Sequence, residues 1–189
     1  MTLLDTITVR LSLYKNGFGY FWEAQVVRDP KLFIMQYENR LKDQFLQIWH
    51  TKCLENVKLN HYIKYKNTFK IEKYVSAIDI DKYRKRFASF RSSTHCLMVE
   101  KGRHLNIARE HRVCMYCETM LEDEYHFVIV CPLYLNLRSI YIPLYYYQYP
   151  CIEKFYSLMA NEDESLIRNI SMYIYNAMKE RDNFLTGFE

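Results

Sequence analysis

Apolar side chains recur every three or four positions over much of the chain, and that period predicts helix as the dominant element. Phe33, Tyr37, Leu41, Phe45 and Ile48/Trp49 form one stripe over residues 30–56, the spacing of a helix with a single buried face. Asp29-Pro30 opens it, Asp29 as N-cap and Pro30 at the first helical position. A second stripe, Tyr83, Phe87, Phe90, Thr94 and Leu97, falls within one narrow sector of a helix. It predicts a continuous helix that Gly102 ends, with Arg84, Arg91 and His95 together on one flank. Residues 57–80 predict shorter helical pieces, FKIEKYVSAI the best of them. After Cys131-Pro132 come an amphipathic LYLNLRSIYI, a Tyr-rich turn LYYYQYP, and helices at 151–160 and 164–182. Only the start reads differently. TITVRLSLY alternates like a short strand, and KNGFGYFW carries turn-forming glycines.

Composition sharpens this picture. The chain has 189 residues, half of them hydrophobic, with only 4 Gly and 4 Pro, which favours a helical globular fold over a sandwich or disorder. No apolar run reaches bilayer length, and MTLLDTITVRLSLYKN has no uninterrupted apolar core of signal-peptide type. The expectation is an intracellular protein, nuclear or cytoplasmic, whose 6 cysteines stay reduced. They then count first as candidate ligands or buried thiols. Cys53, Cys96 and Cys151 sit in apolar helical contexts and read as buried thiols.

Charge is uneven. Net charge is +4, yet residues 82–112 hold nine Lys/Arg against Glu100 and Glu110, a local +7 that leaves −3 for the rest. Such a bias points to an anionic partner, a solvated helix face being the plainer alternative.

Candidate chemistry lies just beyond that segment. CMYCETMLEDEYHFVIVC places Cys114, Cys117, His126 and Cys131 at C-x2-C-x8-H-x4-C spacing. Thiolate and imidazole are the ligands that tetrahedral zinc prefers, and four of them leave no open position, so a structural site is expected. Five residues separate His126 from Cys131, too far round a regular helix for both to face one ion. Pro132 disfavours helical backbone at Cys131 and lets it fold back. Glu122, Asp123 and Glu124 sit where the helix bearing His126 would start, complementing its dipole. Arg109 and Arg112 stand near enough in sequence to offset a site of three thiolates. His111 is the competing ligand, and an isolated CxxC can also be redox-active. The expected fold is therefore mainly α, a helical domain with an inserted C-x2-C-x8-H-x4-C zinc-knuckle-like module. Its parts are an N-terminal aromatic and helical region (1–80), a basic helix plus zinc-binding module (81–140), and C-terminal helices packing on the same core (141–189).

FRSSTHCLMVEKGRH, REHRVCMYC and EDEYHFVIVCPLYLNLR together resemble the zinc-binding region that follows the polymerase in non-LTR (LINE-type) retrotransposon proteins. The shared pattern is an Arg/Ser/His helix ending in E-x-GR, then CxxC, an acidic EDE, His and CP-x-Y-x-x-LR, over about residues 84–138. KNGFGYFWEAQ with its long helix, and YIPLYY, are similar to the extended C-terminal region of some animal elements. The resemblance implies a retroelement-derived module that contacts nucleic acid, with Cys114, Cys117, His126 and Cys131 as zinc ligands. The family's polymerase does not carry over, because paired aspartates hold its two metal ions and this chain has no Asp-Asp dipeptide.

Three functions are weighed. The first is non-catalytic RNA or DNA binding, with Arg84, Arg91, His95, Arg103, Arg109 and Arg112 on phosphates and Tyr116 stacking on bases. The second is a structural or protein-interaction domain docking to a polymerase or other partner through the Tyr/Leu-rich 133–149 stretch. Catalysis ranks last: no phosphate loop, nucleophile elbow or HExxH occurs, and Asp79 and Asp81 of IDID read as helix caps before Mg²⁺ ligands. Neither membrane nor small-molecule substrate is expected.

Overall fold

The computed structural model describes residues 3–66, 68 and 70–187. Two compact units divide at Glu55/Asn56. The short helices after residue 56 fall in the second unit with the candidate ligands, and their Tyr65 and Tyr74 pack against its core.

The first unit holds α1 (Leu3–Lys15), α2 (Gly19–Ala24) and α3 (Pro30–Glu55). The alternating TITVRLSLY is helical. Among the described residues no strand pairs with it, and a helix satisfies its own backbone groups where a lone strand would not. Gly17 turns the chain at φ 82°, a conformation that glycine adopts without penalty. Phe18 and Phe21 then fold onto α3, with ring centroids 5.3 Å from Tyr37 and 4.6 Å from Phe33 respectively. Asp29 caps α3 as expected, its Oδ1 accepting from Lys31 N at 3.0 Å and Leu32 N at 3.1 Å. Leu41, Phe45 and Ile48 of the predicted stripe are exposed.

The second unit contains α4 (Tyr62–Tyr65), α5 (Lys73–Ala77), α6 (Asp81–Arg91), α7 (Met98–His104), α8 (Leu135–Tyr141), α9 (Leu144–Tyr147), α10 (Ile152–Met159) and α11 (Glu164–Thr186). Phe69 of the best 57–80 helix candidate lies outside the described residues. The organising element is α11. Ile167, Ile170, Tyr173, Ile174, Ala177 and Met178 form its buried face, which packs on α5, α6 and α8. Phe87, Phe90, Phe127, Phe155 and Leu158 complete the core, each such side chain contributing about 1.5–3 kcal/mol by burial. Among the described residues no helix is long and apolar enough to cross a membrane.

The predicted helix from Tyr83 to Gly102 is two helices. Ser93 adopts φ 50°, and Thr94 N bonds back to Ser89 O at 2.8 Å, closing α6. Ser93 Oγ donates to the buried Glu124 carboxylate at 2.6 Å, a long-range tie that holds the break. Tyr83, Phe87 and Phe90 do face the core, whereas Thr94 is exposed and Leu97 is buried only after the chain has turned. Gly102 lies inside α7, where an added Cβ would stand 2.6 Å from Arg112 Cγ; close approach, not helix termination, explains it.

Candidate metal centre

Two local devices bring the four candidate ligands together. The first is a tight hairpin. Val113 and Leu121 form an antiparallel bridge, Cys114 N donates to Met120 O at 2.8 Å, and Glu118 N donates to Cys114 O at 2.8 Å. With Glu118 at φ 54°, the chain curls so that Cys117 returns beside Cys114.

The second is a π-turn over His126–Val130. On an α-helix, residues five apart point about 140° away from each other. Wider i→i+5 winding brings them nearly into line, and here Cys131 N donates to His126 O at 2.8 Å. Cys131 itself leaves the helix at φ −55°, ψ 122°, as its position before Pro132 requires.

The result is compact. Ligand atoms of Cys114, Cys117 and His126 all lie within 4.8 Å of one another. Cys131 falls outside that three-way group, yet its sulfur is 3.9 Å from Cys114 Sγ. Cys117 Sγ is 3.4 Å from His126 Nε2. Ligand distances of about 2.3 Å for sulfur and 2.0–2.1 Å for nitrogen give tetrahedral edges of about 3.8 Å and about 3.5 Å. Both measured separations match them. His126 Nδ1 is buried without a hydrogen-bond partner, so the ring's polar contacts run toward the sulfurs alone.

Electrostatics favours thiolate. Its contacts with the Cys131 sulfur and the His126 ring, with the backbone N–H groups of Cys117 and Tyr116, outweigh burial and hold the Cys114 thiol far below its ordinary value, at about 3. Cys131 moves the other way, up, because Cys114 beside it takes the negative charge and burial adds to that. Two sulfurs this close in a desolvated site release both protons readily only to a cation. These residues could hold a metal ion.

The surrounding carboxylates have other work than the helix dipole expected of them. Asp123 does cap the π-turn, its Oδ1 accepting from His126 N at 2.8 Å. Glu122 is buried instead in a bidentate pair with Arg181, at 2.6 and 2.8 Å, and accepts Met98 N at 2.7 Å. Glu124 gathers Ser93, His95 at 3.0 Å and His61 at 3.7 Å.

The six residues expected to meet phosphates scatter. Arg91 is interior, its guanidinium bonded to Glu72 and Met159 O and set 4.4 Å from the Tyr65 ring. His95 has a side chain 0% exposed. Arg112 is fixed on Ile107 O at 2.9 Å and Val99 O at 3.0 Å. Burial and these bonds take all three out of a phosphate-binding face. Arg84 pairs with Asp81 at 3.2 Å and Arg103 with Glu100 at 2.8 Å, both partly exposed. Of the six, only Arg109 is exposed and has no ion pair among the described residues. His111 is exposed and outside the ligand cluster. Tyr116 meets Phe184 edge-on, at 5.4 Å. Cys53 is buried, but Cys96 and Cys151 are only partly so.

One residue went unread in the sequence. Arg138, 2% exposed, donates through Nε to Val128 O and through Nη2 to Cys131 O, both at 2.8 Å. Tyr173 OH donates to Phe127 O at 2.8 Å. Together they serve Phe127 O, Val128 O and Cys131 O, the last of which also accepts from Tyr134 N at 3.3 Å. The available signal was the CP-x-Y-x-x-LR run, whose Tyr134 also packs 4.7 Å from Phe127.

No family model, curated protein or solved structure matches the chain.

Proposed function

We propose that Cys114, Cys117, His126 and Cys131 hold one structural zinc ion, and that the chain is a non-catalytic RNA/DNA-binding module of the retroelement C-terminal kind. The observation that carries the metal reading is the pair of separations, 3.9 Å between sulfurs and 3.4 Å from sulfur to nitrogen, each the length of an edge of a zinc tetrahedron. Zinc, when bound, supplies a closed cross-link between the hairpin and the π-turn. The chain's own residues do the rest. Arg138 and Tyr173 fix the π-turn, and the Glu122–Arg181 pair ties the hairpin to α11.

Support for the nucleic-acid reading comes from the face of α7 and the 109–111 turn that pack together beside the ligands. Lys101, His104, Arg109 and His111 are exposed there, with Arg103 partly so. Such a face gives salt-dependent affinity with little sequence preference. A protein-docking reading keeps one specific observation: Leu135, Ile140, Leu144, Tyr145 and Tyr149 are all exposed within residues 135–149.

Metal analysis of purified protein should find one zinc per chain and none in a Cys114→Ser/Cys117→Ser double variant. Equal zinc in both, or none in either, rejects the centre. Binding of single strands across a salt series should weaken steeply as salt rises, and a flat series rejects nucleic acid in favour of docking.

A further inference from the structure

A pocket of about 370 Å³ opens between the chain around residues 64–74 and the turn that joins α10 to α11. It shares no residue with the metal centre or with the basic face of α7. Lys64, Lys66, Lys70, Lys73 and Arg91 line it against only Glu72 and Glu162, so cations exceed acids by three. Arg91 is committed to Glu72, and Lys73 to Glu164 at 3.0 Å. Lys64, Lys66 and Lys70 have no acidic partner among the described residues. Lys66 Nζ donates to Lys70 O; three lysines without an acidic partner lining one concavity raise the local potential and select an anion.

The rest of the lining is not what a bare phosphate needs. Tyr65 and Tyr74, both half-buried, line it with their rings, and Tyr74 is set edge-on to the buried Phe87 at 5.2 Å. At the rim stands Ile71, 87% exposed, the highest value among the exposed large apolar side chains of the described residues. Folding gains nothing from an isoleucine held in water between lysines. Two half-buried tyrosines and an exposed isoleucine among lysines, in a cavity of small-ligand size, match a flat ring carrying a phosphate.

We propose that this pocket seats one nucleotide of a single-stranded RNA or DNA, with its phosphate against Lys66 and Lys70 and its base over Ile71 and Tyr74. The pocket opens to solvent, which leaves room for the strand to continue beyond it. This rests on the nucleic-acid reading above but names a different surface from the α7 face.

The test is fluorescence polarisation of short labelled single strands with the full zinc-loaded chain. Lys66→Ala/Lys70→Ala changes two side chains at the pocket mouth. It should lose about tenfold in affinity and flatten the log–log salt slope by about 0.7, the share of one phosphate on a single strand. Ile71→Ala should lose about tenfold through the base with the slope unchanged. Adenosine monophosphate should displace the strand from wild type far better than inorganic phosphate does. Wild-type affinity in both variants overturns the pocket. If Lys101→Ala/Arg109→Ala loses binding in that same experiment, the broader reading survives alone. Absence of salt-dependent binding by the wild type removes both. Displacement by inorganic phosphate equal to that by the nucleotide removes the base-binding part and overturns the proposal as stated.

Discussion

Replacing Arg138 by methionine isolates the least expected support of the metal centre. In a continuing α-helix Val128 O would accept from residue 132, but Pro132 has no N–H. Cys131 O, on a non-helical residue, has in addition a longer bond from Tyr134 N, at 3.3 Å. Arg138 serves both carbonyls at 2.8 Å, with its side chain 2% exposed and Tyr147 at 5.8 Å from the guanidinium. A hydrogen bond to a charged donor is worth about 1.5–3 kcal/mol. Two of them bound the loss at about 3–6 kcal/mol before compensation. Tyr173 OH, 3.3 Å from Val128 O, keeps that carbonyl partly served, and buried methionine returns some apolar stabilisation. The expected cost of Arg138→Met is therefore about 3 kcal/mol, a large share of the 5–15 kcal/mol typical of a domain. Arg138→Lys keeps the charge but cannot span two carbonyls, so it should cost about half as much.

Urea unfolding of both variants gives the stability loss, and competition with a chromophoric chelator gives zinc affinity. Because the two carbonyls flank the segment that carries His126 and Cys131, affinity should fall about tenfold or more in Arg138→Met. Stability within about 0.5 kcal/mol of wild type, the range of an ordinary surface change, would refute the reasoning. So would a lysine variant indistinguishable from the native chain.

Arg181→Met should cost about 3–5 kcal/mol, because it strands a buried carboxylate. Burial works against the charged guanidinium, but the Glu122 bonds outweigh it and keep it protonated; adding Glu122→Gln should recover part of the loss in the same denaturation assay. Gly102→Ala should destabilise by about 1–2 kcal/mol despite better helix propensity, since Arg112 cannot retreat without releasing Val99 O and Ile107 O; a gain in melting temperature would contradict this. For Glu124, burial raises its pKa, but His95, His61 and Ser93 outweigh that and hold the carboxyl at about 2, below its ordinary 4.5. A depressed carboxylate stabilises above its unfolded pKa and loses that contribution as pH falls through the folded one. Wild type should thus exceed Glu124→Gln by about 3 kcal/mol at neutral pH, shrinking from about pH 4.5 to pH 2. Both chains keep the same four candidate ligands, so metal loss in acid cancels in the difference. A pH-independent difference would count against the assignment.

What the sequence made legible was local. Asp29-Pro30 fixed the start of α3, because capping is decided within four residues. Pro132 announced the backbone of Cys131 for the same reason. The mainly helical class followed from the apolar period. The failures are long-range or degenerate. TITVRLSLY alternates like a strand, and only the absence of a pairing partner among the described residues makes it helix. The α6–α7 break looks like continuous helix until Ser93 finds Glu124, 31 residues away. No periodicity argument contains that contact.

The basic segment carries the sharper lesson about reading charge. A local excess of cations points outward only if the acids that could neutralise them are elsewhere. Here they are elsewhere in sequence and adjacent in space: Glu72 lies 19 residues from Arg91, and Glu124 lies 29 from His95. A buried charge survives only when paired. The guanidiniums least suited to phosphate are thus the ones that interior carboxylates and carbonyls already hold, Arg91 and Arg112 among them. Without an ion pair among the described residues are Lys64, Lys66 and Lys70 around the pocket, Lys101 on α7, and Arg86 and Arg109 of the basic segment. Lysine is a point charge on a flexible stem, without the fork that reads a base edge or grips a phosphate bidentately. If this chain binds a strand, the free side chains supply general electrostatic hold. At the pocket, discrimination among nucleotides then falls to Ile71 and Tyr74.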